Sequence, residues 1–334
     1  MLKIVFLADT HLGFDFPLRP KKEKRRRGID FFNNFDYILE YAKKVKADLL
    51  IHGGDLFYRT LVPEPIVDMV YERIYKFAES GIPFIIVPGN HESSRLPVSL
   101  FMHHPNIYYF TGPQVFKFRL KNLTIDIAGF PCVRKDVKTK FPEFVEKIKS
   151  QLNRESVKIL CMHQSIEGAK VGPSDYTFRY GKDVIPINDL PEEYDLFLSG
   201  HIHRTQILRT NDHKAILYPG SIERTAFAEK DEEKGFYDIK IEKNKTISYN
   251  FKKLYARPMV DVVLENENYS IEALKKEILQ KINEIPDDSI LRFKMKNMEN
   301  IGLLNTKFLD QILPASMNYQ VAGLRNINVL KKTK

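Results

Sequence analysis

Two histidines stand one residue apart in Gly200-His201-Ile202-His203, directly after the apolar run Asp195–Ser199. Residues two apart on an extended chain face the same side. The tetrapeptide is therefore expected to present two imidazoles together and turn Ile202 back to the core. Four other apolar runs end in the same chemistry: LKIVFLA in Asp9-Thr10-His11, ADLLIH in Gly53-Gly54-Asp55, IPFIIV in Pro88-Gly89-Asn90-His91, and VKILCM in His163-Gln164. Carboxylate, carboxamide and imidazole groups bind divalent ions or move protons. Taken singly, each has an ordinary explanation as a turn-forming side chain or a hydrogen-bonded core histidine. Taken jointly, with glycines where backbone must approach closely, they point to one metal site. His52, His103, His104 and His213 lack that context and are assigned ordinary packing or surface roles.

The donor types narrow the metal. Cys132 and Cys161 are not spaced as a metal or redox pair. Oxygen and imidazole donors without thiolate suit manganese, iron or zinc. Asp9, His11, Asp55, Asn90, His163, His201 and His203 are too many for one tetrahedral centre. They suit two ions about 3.5–4 Å apart sharing one carboxylate. Two divalent ions, two aspartates and a bridging hydroxide leave a single positive charge, which matches the single negative charge of a phosphodiester.

Positioning these residues requires an α/β layered domain. The apolar runs have the length of buried strands, and helical stripes lie between the early ones. DFFNNFDYILEYAKKV and EPIVDMVYERIYKFAES each carry apolar residues at helical spacing. Strands alternating with helices form layered sheets, and in such sheets sites form beyond the carboxyl ends of the strands. Past Arg257-Pro258 the pattern restarts with MVDVVLE, a helix beginning at Ser270, and SILRFKMK. The expected organisation is residues 1–255 as the metal-bearing domain and 256–334 as a smaller α/β accessory domain. No apolar run reaches the roughly eighteen residues that span a bilayer, so no membrane association is expected. Two cysteines in 334 residues fit a reducing, cytoplasmic or nucleoid-associated setting. A net charge of +9 points toward an anionic partner.

The motifs Asp9-x-His11, Gly54-Asp55, Gly89-Asn90-His91, His163 and Gly200-His201-x-His203 resemble the five signatures of the calcineurin-like metallophosphoesterase superfamily. LADTHLGF, GGDLF, PGNHE, MHQS, GHIHR, YPGSIER and KGFYDI are similar to the DNA double-strand-break repair nucleases of the SbcD type and their archaeal and eukaryotic meiotic-recombination counterparts. The likeness runs from Met1 to about residue 300. It implies a layered calcineurin-like sheet domain with a C-terminal capping domain, and Mn2+ as the usual metal. Asp9, His11, Asp55 and His203 would hold one ion, and Asp55, Asn90, His163 and His201 the other. His91 would act as general acid or transition-state stabiliser, with water activated by the ions as nucleophile. Tyr58 departs from the pattern, because the family usually carries histidine or aspartate after GDLF.

The resemblance also implies DNA as substrate, both double-stranded ends and single strands. RPKKEKRRR supplies Arg19, Lys21, Lys22, Lys24, Arg25, Arg26 and Arg27 beside a ligand-bearing strand end. Phosphate contacts there would be independent of base sequence and sensitive to salt. Tyr58 and Arg59 are further candidates for DNA contact. The implied partners are a second copy of the chain and an SMC-like (SbcC-type) ATPase. EPIVDMVYERIYKFAES and LPVSLFMHH are the candidate dimer surfaces. Two other functions stay open: a phosphatase or cyclic-nucleotide phosphodiesterase using the same site, and a DNA-end-tethering scaffold. The scaffold would expect lost ligands, and none of the seven is lost.

Overall fold

The computed structural model describes residues 1–16, 26–92, 104–179, 181–265, 270–296 and 298–322. The described residues divide into two compact units, those within 1–16, 28–225 and 232–256 forming the first, and those within 26–27, 226–231 and 257–322 the second.

The first unit begins β1 (Leu2–Leu7), α1 (Gly28–Lys44), β2 (Leu49–His52), α2 (Glu64–Ala78), β3 (Phe84–Ile86) and β4 (Ile107–Tyr109). It continues with β5 (Gln114–Leu120), β6 (Leu123–Gly129), α3 (Val137–Lys149) and β7 (Val157–Met162). Four two-residue strands follow: β8 (Ser165–Ile166), β9 (Lys170–Val171), β10 (Tyr176–Thr177) and β11 (Val184–Ile185). The unit closes with β12 (Leu196–Ser199), β13 (Gln206–Arg209), β14 (Ala215–Tyr218), β15 (Gly235–Ile241) and β16 (Ile247–Lys253).

Among the described residues these strands build two six-stranded sheets, ordered β16-β15-β1-β2-β3-β4 and β13-β14-β12-β7-β6-β5. In the first sheet β1 to β4 run parallel, and β15 and β16 pair antiparallel at one edge. In the second, β14, β12, β7 and β6 run parallel between antiparallel edges. The sheets pack face to face. Leu2, Ile4 and Phe6 of β1 share one core cluster with Ile125 and Ile127 of β6, Ile159 of β7, and Leu196 and Leu198 of β12. Helices cover the outer faces. Phe77 of α2 meets Phe84 of β3 at 5.9 Å between ring centres, and Tyr41 of α1 meets Phe236 of β15 at 5.0 Å. On the far side Phe141 and Ile148 of α3 pack over Leu160, Met162 and Phe197. Strands buried on both faces must be apolar throughout, which explains the unbroken runs LLI in β2 and FII in β3. The five runs with polar endings divide between the sheets: β1, β2 and β3 in one, β7 and β12 in the other.

The second unit contains β17 (Met259–Leu264), α4 (Ile271–Ile282), β18 (Ile290–Met295), α5 (Thr306–Ile312) and β19 (Asn318–Val321). Its three strands are parallel in the order β17-β18-β19. The side chain of Ser270 accepts from the backbone N–H of Ala273 and so caps α4. Val262, Leu264, Leu274, Ile278, Leu291 and Phe293 form a core of its own. Arg257, 1% exposed, donates to the carbonyls of Asp288 and Ser316 and to the side chain of Asn318. It thereby ties the start of β17 to the turns that precede β18 and β19. No helix among the described residues is long and apolar enough to cross a membrane.

Candidate metal centre

The carboxyl ends of β1, β2 and β3 meet those of β7 and β12, and glycine is what allows the approach. A Cβ on Gly54 would lie 2.3 Å from His163 Nδ1, one on Gly89 2.2 Å from Asp55 N, and one on Gly200 2.3 Å from the Gly53 carbonyl oxygen. Several ligand candidates also sit in the left-handed backbone region: Asp9 (φ 51°), His11 (45°), Asp55 (53°) and His201 (83°). Such backbone persists only where its surroundings over-determine it. Here the segments after β1 and β2 are laced together, Asp9 N–H donating to Gly54 O at 2.8 Å, His11 N–H to Asp55 O at 3.1 Å, and Leu12 N–H to Leu56 O at 2.9 Å.

All seven ligand candidates and His91 converge. Potential donor atoms of Asp9, His11 and His203 lie within 4.8 Å of one another, as do those of Asp9, Asp55 and His163. His11 Nε2 and His203 Nε2 are 2.8 Å apart. Asn90 Oδ1 lies 2.9 Å from His163 Nε2 and 2.9 Å from His201 Nδ1. The His201 backbone N–H donates to the Asp9 carboxylate. His91, with His11 and Asp55, also falls within ligand reach.

GHIH corrects one expectation. Its backbone is not extended, because His201 is left-handed. Ile202 does turn inward, 2% exposed, but the two imidazoles diverge, His201 toward Asn90 and His203 toward His11. Gly200, just before the turn, passes close beside Gly53.

The electrostatics favour positive charge at the centre. Burial opposes ionisation of Asp55, yet His163, His11 and His91 hold its carboxyl well below the usual range. Burial raises Asp9 to about 6 against the pull of His163 and His203. His163 is fully buried, which disfavours its charged form, but Asp55 prevails and lifts it to about 9. The ring of His163 donates from Nδ1 to Gly53 O at 2.8 Å. A neutral ring would then aim the Nε2 lone pair at the Asn90 oxygen. Without metal a proton on Nε2 makes this contact a hydrogen bond, and a divalent ion would take the place of that proton. The donor set therefore fits divalent ions, with imidazole orientation fixed by a backbone carbonyl as is usual for metal-ligating histidine.

Two supporting residues carry no separate signal in the sequence. Glu92, 5% exposed, accepts from Phe57 N–H at 2.8 Å and Gly89 N–H at 2.7 Å, clamping the loops after β2 and β3, and burial pushes it up to about 8. His52, fully buried and lowered to about 3 by that burial, bonds the same loop region rather than filling space. By contrast His104 packs its ring against Tyr75, and His213 is exposed. His103 lies outside the described residues.

His91 is held on both sides. Its Nδ1 donates to Tyr58 O at 2.6 Å, its backbone N–H donates to Asp55 Oδ1 at 2.9 Å, and Nε2 faces Asp55 Oδ2 at 3.6 Å. The Tyr58 ring stacks beside His91 at 6.0 Å and meets Phe14 edge-on at 4.8 Å, with the Arg59 guanidinium 6.0 Å from its centre. Arg26 and Arg27 are half-buried just ahead of α1 in sequence. Arg19, Lys21, Lys22, Lys24 and Arg25 lie outside the described residues, as does LPVSLFMHH apart from its last histidine.

The sequence profile of the calcineurin-like phosphoesterase family matches residues 2–205, and the chain belongs to that family. It is similar to the DNA double-strand break repair protein Mre11 of Archaeoglobus fulgidus, 26% identical over 90% of this chain and 70% of that protein. The Mre11 of Sulfurisphaera tokodaii is 26% identical over 66% of this chain and 53% of its own length. The D subunit of the nuclease SbcCD from Staphylococcus epidermidis is 24% identical over 90% of this chain and 80% of that protein. The chain thus spans from about half to four-fifths of these relatives.

Proposed function

We propose that the chain is a manganese-dependent DNA nuclease, a two-metal phosphodiesterase acting on double-stranded ends as an exonuclease and on single strands as an endonuclease. The convergence of seven oxygen and imidazole donors on one point, with no thiolate among them, carries this reading. Asp9, His11, Asp55 and His203 would hold one ion, and Asp55, Asn90, His163 and His201 the second, with Asp55 common to both sets. When bound, such a pair polarises a phosphoryl oxygen and makes water a nucleophile at neutral pH.

The remaining work belongs to the protein. His91 commits its Nδ1 proton to a fixed hydrogen bond with Tyr58 O, which leaves Nε2 as the atom that delivers a proton to the leaving oxygen. The bond from its backbone N–H to Asp55 keeps the acid at a constant distance from the bridging carboxylate. Tyr58 offers a hydroxyl and a ring face in place of an imidazole, so it contacts DNA without adding charge. The basic stretch 19–27 supplies phosphate contacts, and the unit that includes residues 257–322 acts as a cap that orients the substrate.

The names borne by the relatives, a double-strand break repair protein and one component of a nuclease, support DNA as substrate and work alongside a second protein. We assign that partner as an SMC-like ATPase and the nuclease itself as a homodimer. The test is cleavage of end-labelled duplex, closed single-stranded circles, p-nitrophenyl phosphate and a cyclic nucleotide, with manganese or chelator, by wild type and Asp55→Ala. Metal-dependent DNA cutting that is absent from the variant is expected. Turnover of the small esters alone would move the chain to the phosphatase reading, and DNA binding without turnover to the tethering one.

A further inference from the structure

We infer that His52 is a positioning residue for the metal centre: joined to the Thr10 hydroxyl, its ring locks together the two loops that carry Asp9, His11 and Asp55. The inference rests on the reading of those three residues as ligands. It starts from an anomaly of composition. His52 ends the otherwise apolar strand Leu49-Leu50-Ile51, fully buried, where an aliphatic side chain would fill the same space. A buried polar ring is costly unless both nitrogens are satisfied.

Both are, and the proton order follows without ambiguity. Gly54 N–H points at His52 Nδ1, 3.2 Å away, so Nδ1 accepts and the ring proton resides on Nε2. Nε2 lies 3.0 Å from Thr10 Oγ1 and donates to it. The Thr10 hydroxyl, its acceptor side occupied, donates in turn to Leu56 O at 3.0 Å. One ordered chain therefore links the amide of residue 54, the side chain of residue 10 and the carbonyl of residue 56.

Its location gives it work to do. Thr10 lies between Asp9 and His11, while Gly54 and Leu56 flank Asp55. All three ligands, and Gly54 at φ 104°, occupy left-handed backbone. Gly54 has no side chain to limit its backbone, so its amide needs an outside partner. The His52 ring anchors that amide directly. Loss of the anchor loosens the Gly53-Gly54 peptide on its N–H side, one residue before the carboxylate that both ions would share.

The experiment is a calorimetric manganese titration of the metal-free full chain, for wild type, Asp55→Ala, Thr10→Val, Thr10→Ser, His52→Leu and the Thr10→Val/His52→Leu pair. Thr10→Val keeps volume and removes the hydroxyl. It should weaken manganese binding about tenfold, in line with losses at outer-shell partners, while Thr10→Ser retains wild-type affinity. The double variant should lose no more than the larger single, because the two groups act as one chain. Nitrogen-15 shifts of His52 in the metal-free protein should report the Nε2–H tautomer. Unchanged affinity in Thr10→Val, additive losses, or an Nδ1–H ring would each overturn the inference. If His52→Leu does not fold, the threonine pair and the tautomer still decide. Asp55→Ala separates the premises: binding equal to wild type there would overturn the ligand reading, and this inference with it.

Discussion

His163 donates from Nδ1 to the Gly53 carbonyl and thereby turns Nε2 toward the side-chain oxygen of Asn90, 2.9 Å away. The bond joins the end of β2 to the end of β7, so one imidazole both fastens the two sheets at the site and presents a ligand atom. The contact is possible only because the residue between Gly53 and Asp55 has no side chain.

Gly54→Ala should therefore damage the site. The new methyl would overlap His163 Nδ1, and φ of 104° is unfavourable for any L side chain. Strain and overlap together should cost about 2–5 kcal/mol. Gly81 also has positive φ but has open space around it, so Gly81→Ala should incur the backbone cost alone. Thermal unfolding of the two metal-free variants checks this, and equal losses would show that crowding at His163 is unimportant.

Much of this was legible in the sequence for a physical reason. Strands buried on both faces must be apolar from end to end, so β1, β2, β3, β7 and β12 stood out, and their polar endings marked the site. Ser270 announced α4 because a capping hydroxyl is needed where four amides lack partners. The division of those strands into two sheets was not legible, since an apolar run carries no record of its neighbours. Nor was the left-handed backbone at Asp9, His11, Asp55 and His201: those residues have side chains, and the turn at His201 sits where Gly200 meets Gly53, far apart in sequence. The two-residue strands β8 to β11 are too short to hold a period. His52 was passed over because a lone histidine ends many core strands, and its partner Thr10 is 42 residues away.

His91→Ala should leave manganese binding intact and reduce DNA cleavage by about 100-fold or more, the usual size of a lost general acid. The ring lies within ligand reach of His11 and Asp55, so the binding measurement matters as much as the rate. A variant that loses an ion along with its activity would make His91 a ligand. Near-normal cleavage would remove it from the mechanism.

Substituting Lys21, Lys22 and Lys24 by serine should weaken duplex binding without altering base preference. Each phosphate no longer neutralised should reduce the slope of log affinity against log salt by about 0.9. Binding titrations at several salt concentrations measure this. Unchanged affinity and slope would mean the stretch is solvated charge and contributes nothing to DNA recognition.

In the second unit one carboxylate organises three cations. Asp261 is bidentate with Arg292 at 2.5 and 2.9 Å, and it also meets Lys294 at 3.2 Å and Lys230 at 3.3 Å. Hydrogen bonds from Arg292, then from Lys294 and Lys230, hold its carboxyl well below the ordinary range, against the opposing effect of burial. Because the folded value is depressed, the stabilisation is present above the unfolded carboxylate value of about 3.9 and disappears as pH falls through the folded one. Solvent reaches the cluster, so its worth is about 1 kcal/mol rather than several. Asp261→Asn should accordingly raise amide exchange in β17 and β18 at pH 7, since the three cations then repel one another. The gap between variant and wild type should close as pH falls below about 4. A gap of constant size down to acid pH would assign the effect to lost packing around Phe227, over which the Arg292 guanidinium sits at 4.5 Å, and not to the ion pairs.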